Sequence, residues 1–130
     1  MSTEEKHELV RYRLKRARET FNEVQILIQN RFWNGAVNRL YYSCYYAVSA
    51  ILAEKALKPT THAGVRQMFG LHIINPGLVD QDLGKFYTRL FDLRQNGDYD
   101  DFFEFEDERV IELLGPAEKL ISQIERLIGK

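Results

Sequence analysis

Arg94 and Tyr99 stand five positions apart in RQNGDYDDF, residues 94–102, where a helix-spaced apolar run, FYTRLFDLR, gives way to Gly, Asp and aromatics. A guanidinium stays charged and offers a fork of donors, so Arg94 is equipped to hold a phosphate. A tyrosine titrates near pH 10 and is a poor proton shuttle at neutrality. What Arg94, Asp98 and Tyr99 do at this helix end is the question the stretch raises. The competing arrangement is structural: a salt bridge from Arg94 to Asp98 or Asp100 at a helix end, with Tyr99 as a packed ring. Arg39 is a further candidate contact. It lies one turn before Tyr42, Ser43 and Tyr46, and it should pair with a carboxylate or a carbonyl, because a charge buried alone is very costly.

The remaining chemistry-bearing residues are sparse. His7, His62 and His72 are scattered and Cys44 stands alone, so the clustered spacing of a zinc site is missing and no metal is expected. The chain has no Gly-x-x-x-x-Gly-Lys-Ser/Thr loop, no Gly-x-Gly-x-x-Gly after a strand and no Gly-x-Ser-x-Gly elbow, which argues against a self-sufficient ATPase, dehydrogenase or esterase. No cofactor is expected. The acidic run DYDDFFEFEDE reads as the approach to a helix, where Asp and Glu favour the positive end, and not as a cation loop. The tyrosines of YYSCYY could stack on bases, but core and interface roles fit them better.

The elements that must position these residues are helices. Leu9, Tyr12, Arg16, Ala17, Phe21, Val24, Leu27 and Ile28 form one stripe of a helix from about Thr3 to Asn30. A second helix is predicted from about Trp33 to Leu57, closed by the Pro59 segment. A short third begins near Thr61 and ends at Asn75-Pro76-Gly77. A fourth occupies roughly Leu78 to Gln95 and stops at Asn96-Gly97-Asp98, residues that tolerate a left-handed helix end. The fifth runs from Glu106 or Asp107 to Ile128, kinked at Gly115-Pro116. No segment alternates with period two. The expected fold is all-α: an antiparallel up-and-down bundle of four to five helices, with residues 1–130 forming a single domain.

Composition sets the outer bounds. Apolar residues make up 45% and charged residues 28%, the profile of an ordinary globular protein. Residues 1–66 carry about +5 and residues 67–130 about −6, an asymmetry best explained by internal or surface neutralisation. The lone Cys44 points to a reduced, cytoplasmic setting, and no apolar run approaches the ~18 residues of a membrane span. The second helix is apolar nearly all round, which makes it central to the bundle or shared with a second copy. A homodimer is expected, burying some of Tyr42, Tyr45 and Tyr46 and the end of the fourth helix.

The ordered set AVNRLYYSCYYAVSAIL, THAGVRQMF, LRQNGDYDDF and AEKLISQIERLI resembles the HEPN family, specifically its small stand-alone prokaryotic branch, over about residues 8–128. The resemblance implies a helical bundle that dimerises. It also implies one of three roles: partner of a small nucleotidyltransferase in a toxin-antitoxin-like pair, ribonuclease toxin, or nucleotide- or RNA-binding module. In the ribonuclease branch an arginine precedes a histidine by a few residues, and two protomers join their motifs in one cleft. Arg94 matches that arginine, while Tyr99 stands in the histidine's place, so the resemblance implies Arg94 and Tyr99 as the candidates for catalysis and Arg94, Asp98 and Tyr99 as candidate ligand contacts. The reading that follows is an interaction module that binds nucleotide or RNA beside a nucleotidyltransferase. The alternatives are a metal-independent ribonuclease with an Arg-x4-Tyr motif and a ligand-free dimeric scaffold. By the same resemblance Arg39 and His62 occupy family positions, and on physical grounds both are expected to act as supports.

Overall fold

The computed structural model describes residues 1–99 and 104–129, leaving aside the side chains of Asp98 and Tyr99. Its described residues form helices and connecting turns, with no strand among them. Helix α1 spans Thr3–Gln29. It opens on a capping box in which Ser2 Oγ accepts from the Glu5 N–H at 3.1 Å and the Glu5 carboxylate accepts from the Ser2 N–H at 2.8 Å, satisfying two donors the first turn cannot satisfy itself. The buried stripe is Val10, Leu14, Ala17, Phe21 and Val24. It is rotated from the expected one: Tyr12 is 59% exposed and Leu9 only half-buried. The seam with α2 decides the rotation, because small residues let the helices approach there, and the buried Ser43 hydroxyl donates to the Ala17 carbonyl at 3.1 Å.

Helix α2 spans Trp33–Glu54 and touches α1, α3, α4, α5 and α6, whose ranges follow. It is the central helix its composition suggested. It stops three residues short of the expected Leu57, and Pro59 is not the direct cause. Ala56 takes φ +60°, and the Leu57 N–H returns to the Leu52 carbonyl at 2.9 Å, the wrapped end normally built on glycine. Helix α1 ends the same way, on Arg31 at φ +60° with the Phe32 N–H on the Leu27 carbonyl.

Helix α3, His62–Phe69, begins at the Thr-His-x-Gly-Val stretch, and its geometry accounts for that pattern. Thr61 Oγ1 caps the helix by accepting from the Gly64 N–H at 2.9 Å. A side chain on Gly64 would meet that same oxygen at 3.0 Å, and Val65 is buried. His62 is thereby fixed as the first helical residue. A five-residue π turn, Gly70–Ile74, continues from α3, so the regular helix ends before Asn75-Pro76-Gly77.

Helix α4, Gln81–Tyr99, runs straight through Asn96, Gly97 and Asp98, where the sequence suggested a stop. Gly97 is there for proximity and not for a left-handed turn: a Cβ on it would lie 2.7 Å from Cε2 of the buried Phe105. Helices α5, Asp107–Glu112, and α6, Leu114–Ile128, meet at Leu113. The break precedes Pro116, which has no N–H to offer the carbonyl one turn back. Across the bundle, Arg18 of α1 joins the basic half of the chain to the acidic half. Its Nη2 and Nε sit 2.7 and 3.0 Å from the Glu125 carboxylate, and it also bonds Glu118 and Ser122.

Candidate functional site

Arg94 leaves α4 toward the tyrosines of α2. Its guanidinium carbon lies 4.8 Å from the Tyr41 ring centroid and 5.8 Å from that of Tyr42, and Nη1 donates to the Tyr42 hydroxyl at 3.5 Å. Arg94 is only 7% exposed, so the ring faces act on a largely desolvated cation, where such contacts are strongest. The start of α3 supplies the third side. His62 packs 4.6 Å from Tyr45 and 5.7 Å from both Tyr41 and Tyr42, centroid to centroid, and its Nδ1 is 2.8 Å from the Tyr41 hydroxyl. The Thr61 cap sets the backbone of His62, and the i, i+4 spacing of Tyr41 and Tyr45 on α2 brings both rings to it.

Burial and charge fix the protonation states. Burial first, and the Arg94 charge second, hold His62 below the usual imidazole value of 6.5. Burial pushes the Tyr41 hydroxyl up to about 12, against opposing effects from Tyr87 and Arg94. The buried Tyr87 hydroxyl, stacked behind Tyr41 at 5.9 Å between rings, is raised well above 10, again mainly by burial. At neutral pH His62 is therefore a neutral imidazole, and Tyr41 and Tyr87 keep their protons.

Arg39 stands at the edge of this cluster. Its guanidinium lies 5.4 Å from the Tyr42 centroid, and its Nε is 3.4 Å from a Glu23 carboxylate oxygen, the first of the two partner types expected, a carboxylate or a carbonyl. On the far side of Tyr42, Arg16 lies over the half-buried Tyr46 at 5.2 Å. Tyr45 also lines a cavity of about 390 Å³ whose apolar wall includes Leu9, Leu52, Leu57 and Val65, with Arg13 and Lys58 among its polar residues. Among the described residues no group of three or more His, Cys, Asp or Glu could hold a metal ion.

The family model for the HEPN domain matches residues 10–127, a span that contains every residue of this cluster. The chain belongs to the HEPN family. It is similar to a UPF0332 protein of Thermotoga maritima, 40% identical over 95% of this chain and 94% of that one. It is also similar to two proteins of Methanocaldococcus jannaschii. One, named "Putative toxin MJ0605", is 32% identical over 88% of this chain and 79% of its own; the other, "Putative toxin MJ0142", is 30% identical over 90% and 80%.

Within this HEPN chain the site residues read from sequence have different fates. Arg94 lies at the centre of the cluster, and Arg39 touches it through Tyr42. Asp98 and Tyr99 fall in the last turn of α4, and their side chains lie outside the described residues. The suggested salt bridge from Arg94 to Asp98 or Asp100 lies outside them as well. The residue that sequence reasoning set aside is His62, 32 positions before Arg94 and outside the Arg-x4-Tyr stretch. Its signal was the Thr61-to-Gly64 cap, which marks a rigid helix start, but no spacing rule indicates which rings that start faces. His72 is exposed on the π turn and His7 on α1.

Proposed function

We propose that this HEPN protein is the binding and interaction member of a toxin-antitoxin-type pair. In this reading it is a cytoplasmic homodimer that holds a phosphate of nucleotide or RNA through Arg94 and His62, and it works beside a small nucleotidyltransferase. The observation that carries the proposal is the convergence of Arg94 and His62 on the same two tyrosines, Tyr41 and Tyr42. A fixed guanidinium and an imidazole set among aromatic rings suit an anion attached to a flat base. The cavity beyond Tyr45 offers room for a nucleoside body. The names of the two archaeal relatives support the toxin-antitoxin setting, and the half-buried Tyr42, Tyr45 and Tyr46 support pairing with a second copy.

A second reading, metal-independent RNA cleavage, is favoured by one observation: His62 brings beside Arg94 an imidazole that titrates below neutrality, which Tyr99 does not supply. One experiment separates the two. Purified wild type, Arg94→Ala, His62→Ala and Tyr99→His are mixed with a fluorescent RNA oligomer in the presence of chelator, and both anisotropy and chain cleavage are followed. Binding without cleavage in wild type, weakened by Arg94→Ala, with weak cleavage gained only by Tyr99→His, is the expected result. Cleavage by wild type that disappears in both Arg94→Ala and His62→Ala establishes the second reading instead. Sedimentation equilibrium checks the homodimer, and co-purification with the product of an adjacent nucleotidyltransferase gene checks the partner.

A further inference from the structure

Tyr41 is the most deeply buried of the four tyrosines on α2, and its hydroxyl reaches the one ring nitrogen of His62 that faces it. A neutral imidazole carries its proton on one nitrogen only, and the hydrogen bond made at the other decides which. A phenol at neutral pH always has a proton to place, and a buried donor left without an acceptor is costly. The groups around His62 are Tyr41, Tyr42 and Tyr45 of α2 and Arg94 of α4, with Tyr87 reached through Tyr41. Arg94 has no lone pair to give. The Tyr42 hydroxyl accepts from Arg94, and the buried Tyr87 hydroxyl, which is coupled to Tyr41 from behind, has its own proton to place toward the Tyr41 oxygen. In that set Nδ1 of His62, at 2.8 Å, is the ring nitrogen placed to accept the Tyr41 proton when it carries none of its own.

We infer that Tyr41 is a positioning residue: its hydroxyl donates to Nδ1 of His62 and so places the imidazole proton on Nε2. Neutral His62 then offers its ligand an N–H and not a lone pair. The inference rests on the reading of the cluster as an anion site and gives that site a chemical preference. A phosphate oxygen, an acceptor only, is held by Arg94 and by the Nε2–H together. A 2′-hydroxyl that must lose a proton finds no free base on this histidine. The arrangement separates holding RNA from cutting it, with the same Arg and His present in both cases.

Two measurements on ligand-free protein test this. In wild type labelled with ¹⁵N on histidine, and assigned with His62→Gln, long-range proton–nitrogen spectra above the His62 midpoint should show the proton on Nε2. Tyr41→Phe keeps the ring and removes the donor that favours the neutral form, so the His62 midpoint should rise, by about half to one pH unit for one hydrogen bond. A purely packing role for Tyr41 predicts no such shift. A proton on Nδ1 in wild type, or a midpoint that stays put or falls in Tyr41→Phe, overturns the inference. If Tyr41→Phe does not fold, the wild-type spectrum alone decides. Neither measurement involves RNA, so failure here leaves the anion-site reading to its own Arg94→Ala test.

Discussion

Two arginines cross this bundle and reach different surroundings. Arg18, on α1, is gripped by Glu118 and Glu125 of α6, and the mutual hydrogen bonds raise the pKa of the arginine and lower that of Glu118. Arg94, on α4, is described among Tyr41, Tyr42 and His62, which orient a cation through ring faces and a hydroxyl oxygen. The first arrangement ties α1 to α6. The second sets a guanidinium against aromatic faces beside a neutral imidazole, and that setting is why the α2–α3–α4 junction, and not the α1–α6 seam, is read as the site.

The largest expected effect separates the two arginines by function. Arg94→Ala should weaken binding of a short RNA by roughly tenfold to a hundredfold, the scale of one charge-assisted contact to phosphate. Arg18→Ala should leave that affinity unchanged. Fluorescence anisotropy at 50 and 200 mM salt checks the pair, and equal losses from both substitutions would dissolve the distinction drawn here.

Next comes the end of α4, which carries Arg94. Gly97→Ala places a methyl group against Phe105 and should destabilise the fold by about 1–3 kcal/mol, as overpacking does. A left-handed glycine at a helix end would also lose stability on becoming alanine, so the deciding comparison repeats Gly97→Ala in a Phe105→Leu background: a loss relieved there belongs to the Phe105 contact, and an unrelieved loss in urea melts returns Gly97 to the role its sequence context suggested. This residue shows where sequence reading fails. Asn-Gly-Asp is a local stop signal, and it is overridden by a contact with Phe105, eight residues on, that only tertiary packing creates.

Other features were legible because their causes are local. The all-α fold, the long first helix and the break before Pro116 follow from periodicity and from a missing N–H, and the central place of α2 follows from its apolar circumference. For Arg39 a carboxylate or a carbonyl was anticipated, and Glu23 supplies the former. The union of His62 with Arg94 depends on how α3 folds back over α2, and nothing in either stretch encodes it alone. The same holds for Arg18, whose partners lie 100 and 107 residues away: the charge asymmetry of the two halves required some neutralisation but could not select the pair.

At the seam the expected stability effect is smaller. Arg18→Ala should cost on the order of 1 kcal/mol, since the pairs are partly exposed, and the cost should shrink as salt screens them. Melts in 0.05 and 1 M sodium chloride check this, and a salt-independent cost for Arg18→Ala would mean that its stem and not its charge holds α6.

The smallest effect sharpens the comparison along the pH axis. His62 has its folded pKa lowered from 6.5, so the unfolded chain takes up its proton first as pH falls. Its contribution to stability is complete above about pH 6.5 and is lost as pH drops from there through the lower folded value. Glu118 also has a lowered folded pKa, chiefly from the Arg18 hydrogen bond, but its reference is 4.5. Its contribution is intact above that value and is lost further into acid, through its own folded pKa. The junction and the seam should therefore weaken in two successive windows, the first just below neutrality and the second in the carboxylate range. Urea unfolding followed from pH 8 to pH 3 should show the upper step flattened by His62→Gln and the lower step reduced by Arg18→Ala. If His62→Gln leaves the upper window unchanged, the imidazole is not desolvated against Arg94 in solution, and the cluster loses the electrostatic coupling that distinguishes it from the seam.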